Sequence, residues 1–145
     1  MNGAGSFSRR GFVTLVAGAG ALTALSAWPR AAWAGSYLVR ASVLVSGAQR
    51  EADALRKRPH DKELARVVHR LAEERVRAAA SMDVPKHVVL AHPHLGLTLE
   101  AYERAADAAQ NGQMERFLVL LAKAREEEQT LRAVLKQLGW ELPTA

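Results

Sequence analysis

Two histidines flank a proline in the stretch "AHPHLG", residues 91 to 96. A neutral imidazole nitrogen binds Zn²⁺, Cu²⁺ or Fe²⁺ and also serves as an axial ligand of haem. On a regular helix His92 would share a face with buried apolar residues, and His94 would point elsewhere. Histidines two positions apart on a helix cannot hold one ion. They form a joint site only if Pro93 opens the backbone between them.

A carboxylate in the last predicted helix could complete such a site. Glu128 occupies a core position between Ala124 and Leu131, where burial is costly unless the carboxylate is paired or bound. Counting from the predicted turns places His69, the histidine pair and Glu128 within about one and a half turns of one layer. Facing helices of bundles hold metal ions in this way. Three interpretations stay open: a metal- or haem-binding site, a structural polar layer, or a helix rotation that leaves these groups near the surface. The candidate ligands are His92, Glu128, His69 and His94.

Residues that could carry catalysis are sparse. The chain has no cysteine, which excludes disulfides, thiolate metal sites and a cysteine nucleophile. Its glutamates form no Glu-x-x-His pair of the di-iron kind, and its serines stand in no strand–turn–helix elbow. The sequence therefore favours a small non-enzymatic binding or accessory protein over an enzyme. A transition-metal ion, a haem and no cofactor at all stay open.

The elements that would position these residues are helices. Hydrophobic residues make up 49% of the chain and aromatic residues only 6%, with alanine and leucine abundant. The apolar spacing predicts helices over 36–57, 62–82 and 114–138, and a third one from a first turn at Pro85 to Gln110, with Pro93 inside it. Short connections force antiparallel neighbours. We therefore expect an all-α, up-down-up-down four-helix bundle over residues 35–145.

An apolar strip on the third helix predicts an interaction surface. Leu90, Leu97 and Ala101 lie opposite the face that carries His92. A four-helix monomer would leave this strip in water unless the helix is central. A homodimer or an exported partner protein would cover it. The alternative is that both leucines are ordinary exposed residues.

The first 34 residues have the three-part layout of a secretory signal. A polar head carries Arg9 and Arg10, an apolar run extends from Phe12 to Trp28, and a polar tail ends in Ala32-Trp33-Ala34, which matches an A-x-A cleavage site. The segment from Ser8 to Val13 resembles the motif of twin-arginine (Tat) signal peptides. The resemblance covers this segment only. It implies recognition by the Tat translocase and export of a folded protein to the periplasm.

Cleavage after Ala34 changes the charge of the chain. The sequence has 20 Lys+Arg and 15 Asp+Glu, and the signal removes three arginines but no acidic residue. The processed chain is thus nearly neutral, with mixed charges along every segment, which argues against a nucleic-acid partner. We expect no stable membrane insertion after cleavage. A retained signal acting as an anchor is the alternative, because an apolar run of about 17 residues is the lower limit for a bilayer span.

Replacing both Arg9 and Arg10 with lysine should stop export. Lysine keeps the charge but not the guanidinium geometry. We expect the full-length precursor to accumulate in the cytoplasm, measured by cell fractionation and immunoblotting. Arg30→Lys, which lies outside the motif, is the matched control and should reach the periplasm. Arrival of the double-lysine variant in the periplasm at the wild-type level would contradict the assignment.

Overall fold

The computed structural model describes the backbone of residues 28–144 and the side chains of residues 35–144. This part of the chain forms four α-helices: α1 Trp28–Lys57, α2 Lys62–Ala80, α3 His92–Gln110 and α4 Met114–Gln137. The described residues contain no strand. Since the helices pack against one another, the predicted all-α four-helix bundle is confirmed.

The apolar periodicity of the sequence identifies the buried faces of α1 and α4, but on α2 it also predicted Val67 and Leu71 on the inner face, and these are 53% and 43% exposed. Residues three or four apart on α1 and α4 line the same buried seam, as expected for amphipathic helices. Their exposed fractions are 5% or less: Tyr37, Ala41, Ala48, Ala52, Leu55, Phe117, Leu121, Ala124, Leu131 and Leu135. Two residues predicted at the seam, Leu44 and Leu138, are only partly buried and pack at its margin.

Helix α3 begins later than predicted. We expected a first turn at Pro85 with Pro93 inside the helix, but residues 86–91 form successive turns and α3 begins at His92. Pro93 therefore lies in the first turn. There its missing N–H removes no helical hydrogen bond, whereas an interior position would remove one and clash with the preceding turn. From the predicted start at Pro85, Asp83 would have been the N-cap, but the N-cap position of α3 is Ala91.

Helix α1 begins earlier than predicted, at Trp28 rather than Ser36. The expected cleavage residues Ala32 and Ala34 therefore lie in its N-terminal part, where the structure describes the backbone alone. The motif residues Arg9, Arg10 and Phe12 lie outside the described residues. Export and cleavage accordingly stay predictions.

Helix α3 is the central helix of the bundle, because it contacts α1, α2 and α4. Its second half carries alanines whose exposed fractions do not exceed 7%: Ala101, Ala105, Ala106, Ala108 and Ala109. Small side chains around the helix allow three neighbours to approach it closely. The central position was one of the alternatives for the apolar strip.

A glycine on α1 receives an arginine from α2. A Cβ atom added to Gly47 would lie 2.8 Å from Nη2 and 3.0 Å from Nε of Arg75. The guanidinium donates to both carboxylate oxygens of Glu51, with Nη2 2.5 Å from Oε1. This two-pronged pair is largely shielded from water, with 17% and 22% of the side chains exposed. Gly47 is thus required by the packing of α1 on α2.

The C-terminal residues fold back onto the bundle. Gly139 has a φ of 82°, which permits the backbone N–H of Trp140 to donate to the Leu135 carbonyl at 2.9 Å. Leu142 is 7% exposed, and the Pro143 carbonyl accepts from the Ser42 hydroxyl at 2.6 Å. The tail therefore closes the core beside the N-terminal half of α1.

Among the residues that the structure describes, none of the helices has the length and apolar character that a membrane crossing requires.

Two glycine-to-alanine substitutions should change stability differently. Alanine gains about 1 kcal/mol over glycine inside a helix. Gly96→Ala should show this gain, because an added Cβ atom meets nothing within 4 Å in the described structure. At Gly47 the Cβ atom would displace Arg75, so we expect little or no gain. Urea unfolding with circular dichroism measures both, and equal gains would contradict the described packing.

Candidate functional site

A histidine at the start of α3 is held in place by a buried tyrosine of α1. The Tyr37 hydroxyl lies 3.0 Å from Nδ1 of His92, and the two ring centroids are 5.8 Å apart at 58°. Burial raises the pKa of Tyr37 to about 12 and lowers the pKa of His92 below its usual 6.5. Both groups are therefore neutral near pH 7.

The hydrogen bond assigns the proton positions of this pair. The Tyr37 hydroxyl has one hydrogen, and Nδ1 of His92 is its one acceptor among the described residues. If the hydroxyl donates to Nδ1, the imidazole proton resides on Nε2. His92 then presents a fixed N–H donor on the side away from Tyr37. That nitrogen has no partner in the described part of the chain.

A shallow groove between α2 and α3 lies on the open side of His92. It encloses about 380 Å³. Its lining is mostly apolar and small: Val76, Ala79, Ala80, Pro93, Gly96 and Leu97, with His92 and Glu100 as the polar residues. Gly96 is midway between those two along α3. A Cβ atom added to it would meet nothing within 4 Å in the described structure, so the groove is open there.

Glu128 lies in a separate, buried cluster and is 6% exposed. Its Oε2 accepts from Gln49 Nε2 at 2.5 Å and from the Tyr102 hydroxyl at 3.3 Å, while Oε1 accepts from Arg132 Nε at 2.8 Å. Burial, followed by the charge of Glu128, raises the pKa of Tyr102 far above its usual range, so it stays a hydrogen donor. The carboxylate is satisfied by donors from three helices, as the structural polar-layer interpretation requires.

His69 is at the edge of the α2–α3 contact. Its Nε2 lies 2.9 Å from Oε1 of Glu103 and 3.9 Å from Oδ1 of Asp107, both on α3. His69 is eleven residues before the end of α2 at Ala80, and Glu103 is eleven residues after the start of α3. His69 and Glu103 are therefore at the same height along the two antiparallel helices, which explains why they pair. The sequence analysis placed His69 in one layer with the histidine pair because it counted most of the connection at 81–91 as helix.

His94 is the last of the four candidate metal ligands. Its carbonyl accepts from the Thr98 hydroxyl at 2.7 Å. Its Nδ1 is buried and without a hydrogen-bond partner among the described residues. It therefore does not join His92, whose ring is turned towards Tyr37.

The four proposed ligands do not meet in one site. The described residues contain no group of three or more His, Asp or Glu side chains placed to hold a metal ion. On α1 the partners Tyr37 and Gln49 are twelve residues apart, about 18 Å of helical rise. His92 and Glu128 are thus at different levels of the bundle, and each has its own hydrogen-bond partners. A metal- or haem-binding role stays a prediction.

The predicted interaction strip is smaller than expected. Leu90 and Leu97 are 67% and 46% exposed, but Ala101 is 6% exposed and covered within the chain. Leu90 belongs to the turns before α3 rather than to the helix. Leu97 lines the α2–α3 groove. The exposed leucine of α3 itself is therefore part of the α2–α3 groove rather than of a stripe along the helix.

The sequence analysis missed Gly96, Glu100 and Tyr37 as members of this site. One signal was available for Gly96, namely a glycine inside a helical pattern at a position without a turn. Glu100 was interpreted as part of a solvated helix face, and Tyr37 as a core residue. The contact of Tyr37 with His92 joins two helices, and local spacing along one helix does not predict it.

Comparisons with protein families, with curated proteins and with solved structures found no match to this chain.

The free energy of unfolding should fall in acid through His92. Because burial lowers its pKa in the folded state, the unfolded chain binds the proton first as pH falls below 6.5. The stabilisation by neutral His92 is therefore complete above pH 6.5 and is lost as pH falls towards the lower folded-state pKa. Urea unfolding at a series of pH values should show a shallower decline for His92→Asn, which keeps an acceptor near Nδ1.

The control is His60→Asn, since His60 is exposed. This variant should keep the wild-type slope. Identical slopes for wild type and His92→Asn would show that His92 is not buried in the neutral form.

Proposed function

We propose that this chain is an exported, non-enzymatic accessory protein that docks onto another polypeptide through the groove between α2 and α3. The proposed export to the periplasm is supported by the twin-arginine-like segment with Arg9 and Arg10. The proposed docking is supported by the apolar composition of the groove. It is also supported by Gly96, a glycine in the groove that the described fold does not require.

The observation that carries the proposal is the glycine at position 96. Glycine inside a helix lowers stability by about 0.5–1 kcal/mol relative to alanine. Three other glycines have structural reasons: Gly47 receives Arg75, and Gly112 and Gly139 have φ values of 73° and 82°. Gly96 has neither a close neighbour nor a positive φ, a property that it shares with Gly35 of α1, and only Gly96 lines the groove between α2 and α3. A glycine of this kind is useful when a second backbone approaches from outside.

The surroundings of Gly96 fit a docked helix. Ala79 and Ala80 form the α2 side of the groove, and Pro93 and Leu97 flank Gly96 on α3. Leu97 is 46% exposed at the groove, so it can cover part of an inserted apolar face. Recognition of an amphipathic helix in an apolar groove uses such features.

The charged residues of the interior do not compete with this role. Glu128 and Arg75 have partners within the chain, through Arg132 and Glu51 respectively. The Arg75–Glu51 pair joins α2 to α1, whereas Glu128 and Arg132 are both on α4, and none of the four lines the groove. The polar groups that line the groove, His92 and Glu100, are suited to hydrogen bonding with a docked polypeptide.

Photo-crosslinking in cells tests the docking. A photoreactive amino acid at position 97 should yield a polypeptide crosslink in the periplasmic fraction. The matched control is position 119 on α4, where Val119 is 70% exposed but remote from the groove. Adding Gly96→Leu, which fills the groove, should remove the crosslink from position 97.

Mass spectrometry of the crosslinked band identifies the partner. Crosslinking of equal efficiency from positions 97 and 119, or persistence of the band in the Gly96→Leu background, would contradict docking in the groove.

A further inference from the structure

We propose that the polypeptide docked in the groove is a second copy of this chain. The two copies form a symmetric dimer in which the α3 helices cross antiparallel at Gly96, with His92 of each copy opposite Glu100 of the other. This inference rests on the proposed function, in which the groove binds a polypeptide, and it names that polypeptide.

The spacing along α3 is symmetric about the glycine. His92 is four residues before Gly96, and Glu100 is four residues after it. In a two-fold dimer one surface must match itself, so a residue at −4 from the axis faces the residue at +4 of the other copy. The two polar residues of the groove occupy these two positions. A partner of unrelated sequence would give no reason for this arrangement.

The chemistry of the two residues is complementary. When the Tyr37 hydroxyl donates to Nδ1 of His92, the proton of the neutral ring is on Nε2, which makes His92 a donor among the residues that line the groove. Glu100 has 44% of its side chain exposed. Its Oε2 accepts from Arg104 Nη2 at 3.4 Å, so Oε1 can accept another bond. A symmetric pair of helices thus forms two equivalent N–H···O bonds, each strengthened by the charge on the carboxylate.

The packing surface has the form that such a crossing needs. Residues 92, 96 and 100 make one i±4 row of α3, and rows of this kind interdigitate when helices cross at about −50° with axes 8–10 Å apart. Gly96 makes a gap in the middle of the row, which lets the two backbones meet there. Pro93 borders the gap without a long side chain, and Leu97 of each copy becomes covered on docking.

A charge-swap experiment tests the dimer directly on the protein purified after export. The wild-type chain should show a monomer–dimer equilibrium in sedimentation velocity at micromolar concentration. His92→Glu places carboxylates opposite each other, and Glu100→Lys places a cation opposite the histidine. Each variant alone should weaken dimerisation at least tenfold, about 1.4 kcal/mol.

Mixing the two variants should restore the dimer. In a mixed pair the introduced glutamate at position 92 faces the introduced lysine at position 100, and the native His92 faces the native Glu100. Native mass spectrometry should then show a one-to-one heterodimer at near wild-type affinity. Glu115 is an exposed residue of α4. Glu115→Lys is therefore the matched charge control and should leave the monomer–dimer equilibrium unchanged.

Stability measurements keep the test independent of folding defects. Each variant should melt cooperatively, and Gly96→Leu should be monomeric while its melting temperature stays at or above that of wild type. A wild-type chain that is monomeric up to high micromolar concentration, or a mixture that stays monomeric, overturns the dimer. If position 97 then crosslinks to a different protein, the proposed docking survives and the second copy does not. If the chain forms no dimer and position 97 also yields no crosslink, both proposals are overturned.

Discussion

The position of Pro93 in the first turn of α3 sets the geometry on which the rest of the described structure depends. A proline cannot donate a helical hydrogen bond, so α3 begins at His92 rather than at residue 85. This start aligns α3 with its neighbours: His92 meets Tyr37 of α1, and Glu103 meets His69 of α2. It also places Gly96 and Glu100 in the first half of the helix, beside the small residues of α2. A start one turn earlier would move all of these pairs out of register.

The polar groups of the interior hold the helices in this alignment. Glu128 accepts hydrogen bonds from Gln49 on α1, Tyr102 on α3 and Arg132 on its own helix. A buried carboxylate with three donors tolerates few other arrangements of the helices around it, because any donor lost leaves a charge without compensation. The ion pair of Arg75 and Glu51 likewise holds α2 against α1. The Arg75 guanidinium lies against Gly47, where a side chain would displace it.

Much of the fold was predictable from the sequence, because it depends on local patterns. Apolar spacing predicted the buried faces of α1 and α4, and Gly139 has the left-handed conformation expected of a C-terminal cap. On α2 the same spacing was partly wrong, because Val67 and Leu71 are exposed. The level of His69 against α3 was wrong, because counting along a chain assumes that every residue adds helical rise. Residues 81–91 add none, and the predicted layer of His69, His92 and Glu128 separates into three sites. Pairings across helices, such as Tyr37 with His92, depend on that register and were not accessible from local spacing.

Docking in the groove gives a functional reason for Gly96, a glycine that the described fold does not require. The proposed donor His92 and the proposed acceptor Glu100 lie four residues before and after it. The central claim is that a second copy of the chain fills this groove. The most direct measurement is a dilution series of methyl NMR spectra of the purified protein. The account predicts concentration-dependent shifts for the methyl groups of Val76, Ala80 and Leu97, with Val119 on α4 unmoved. Shifts that are absent at all three groove residues, or that centre on Val119, would contradict it.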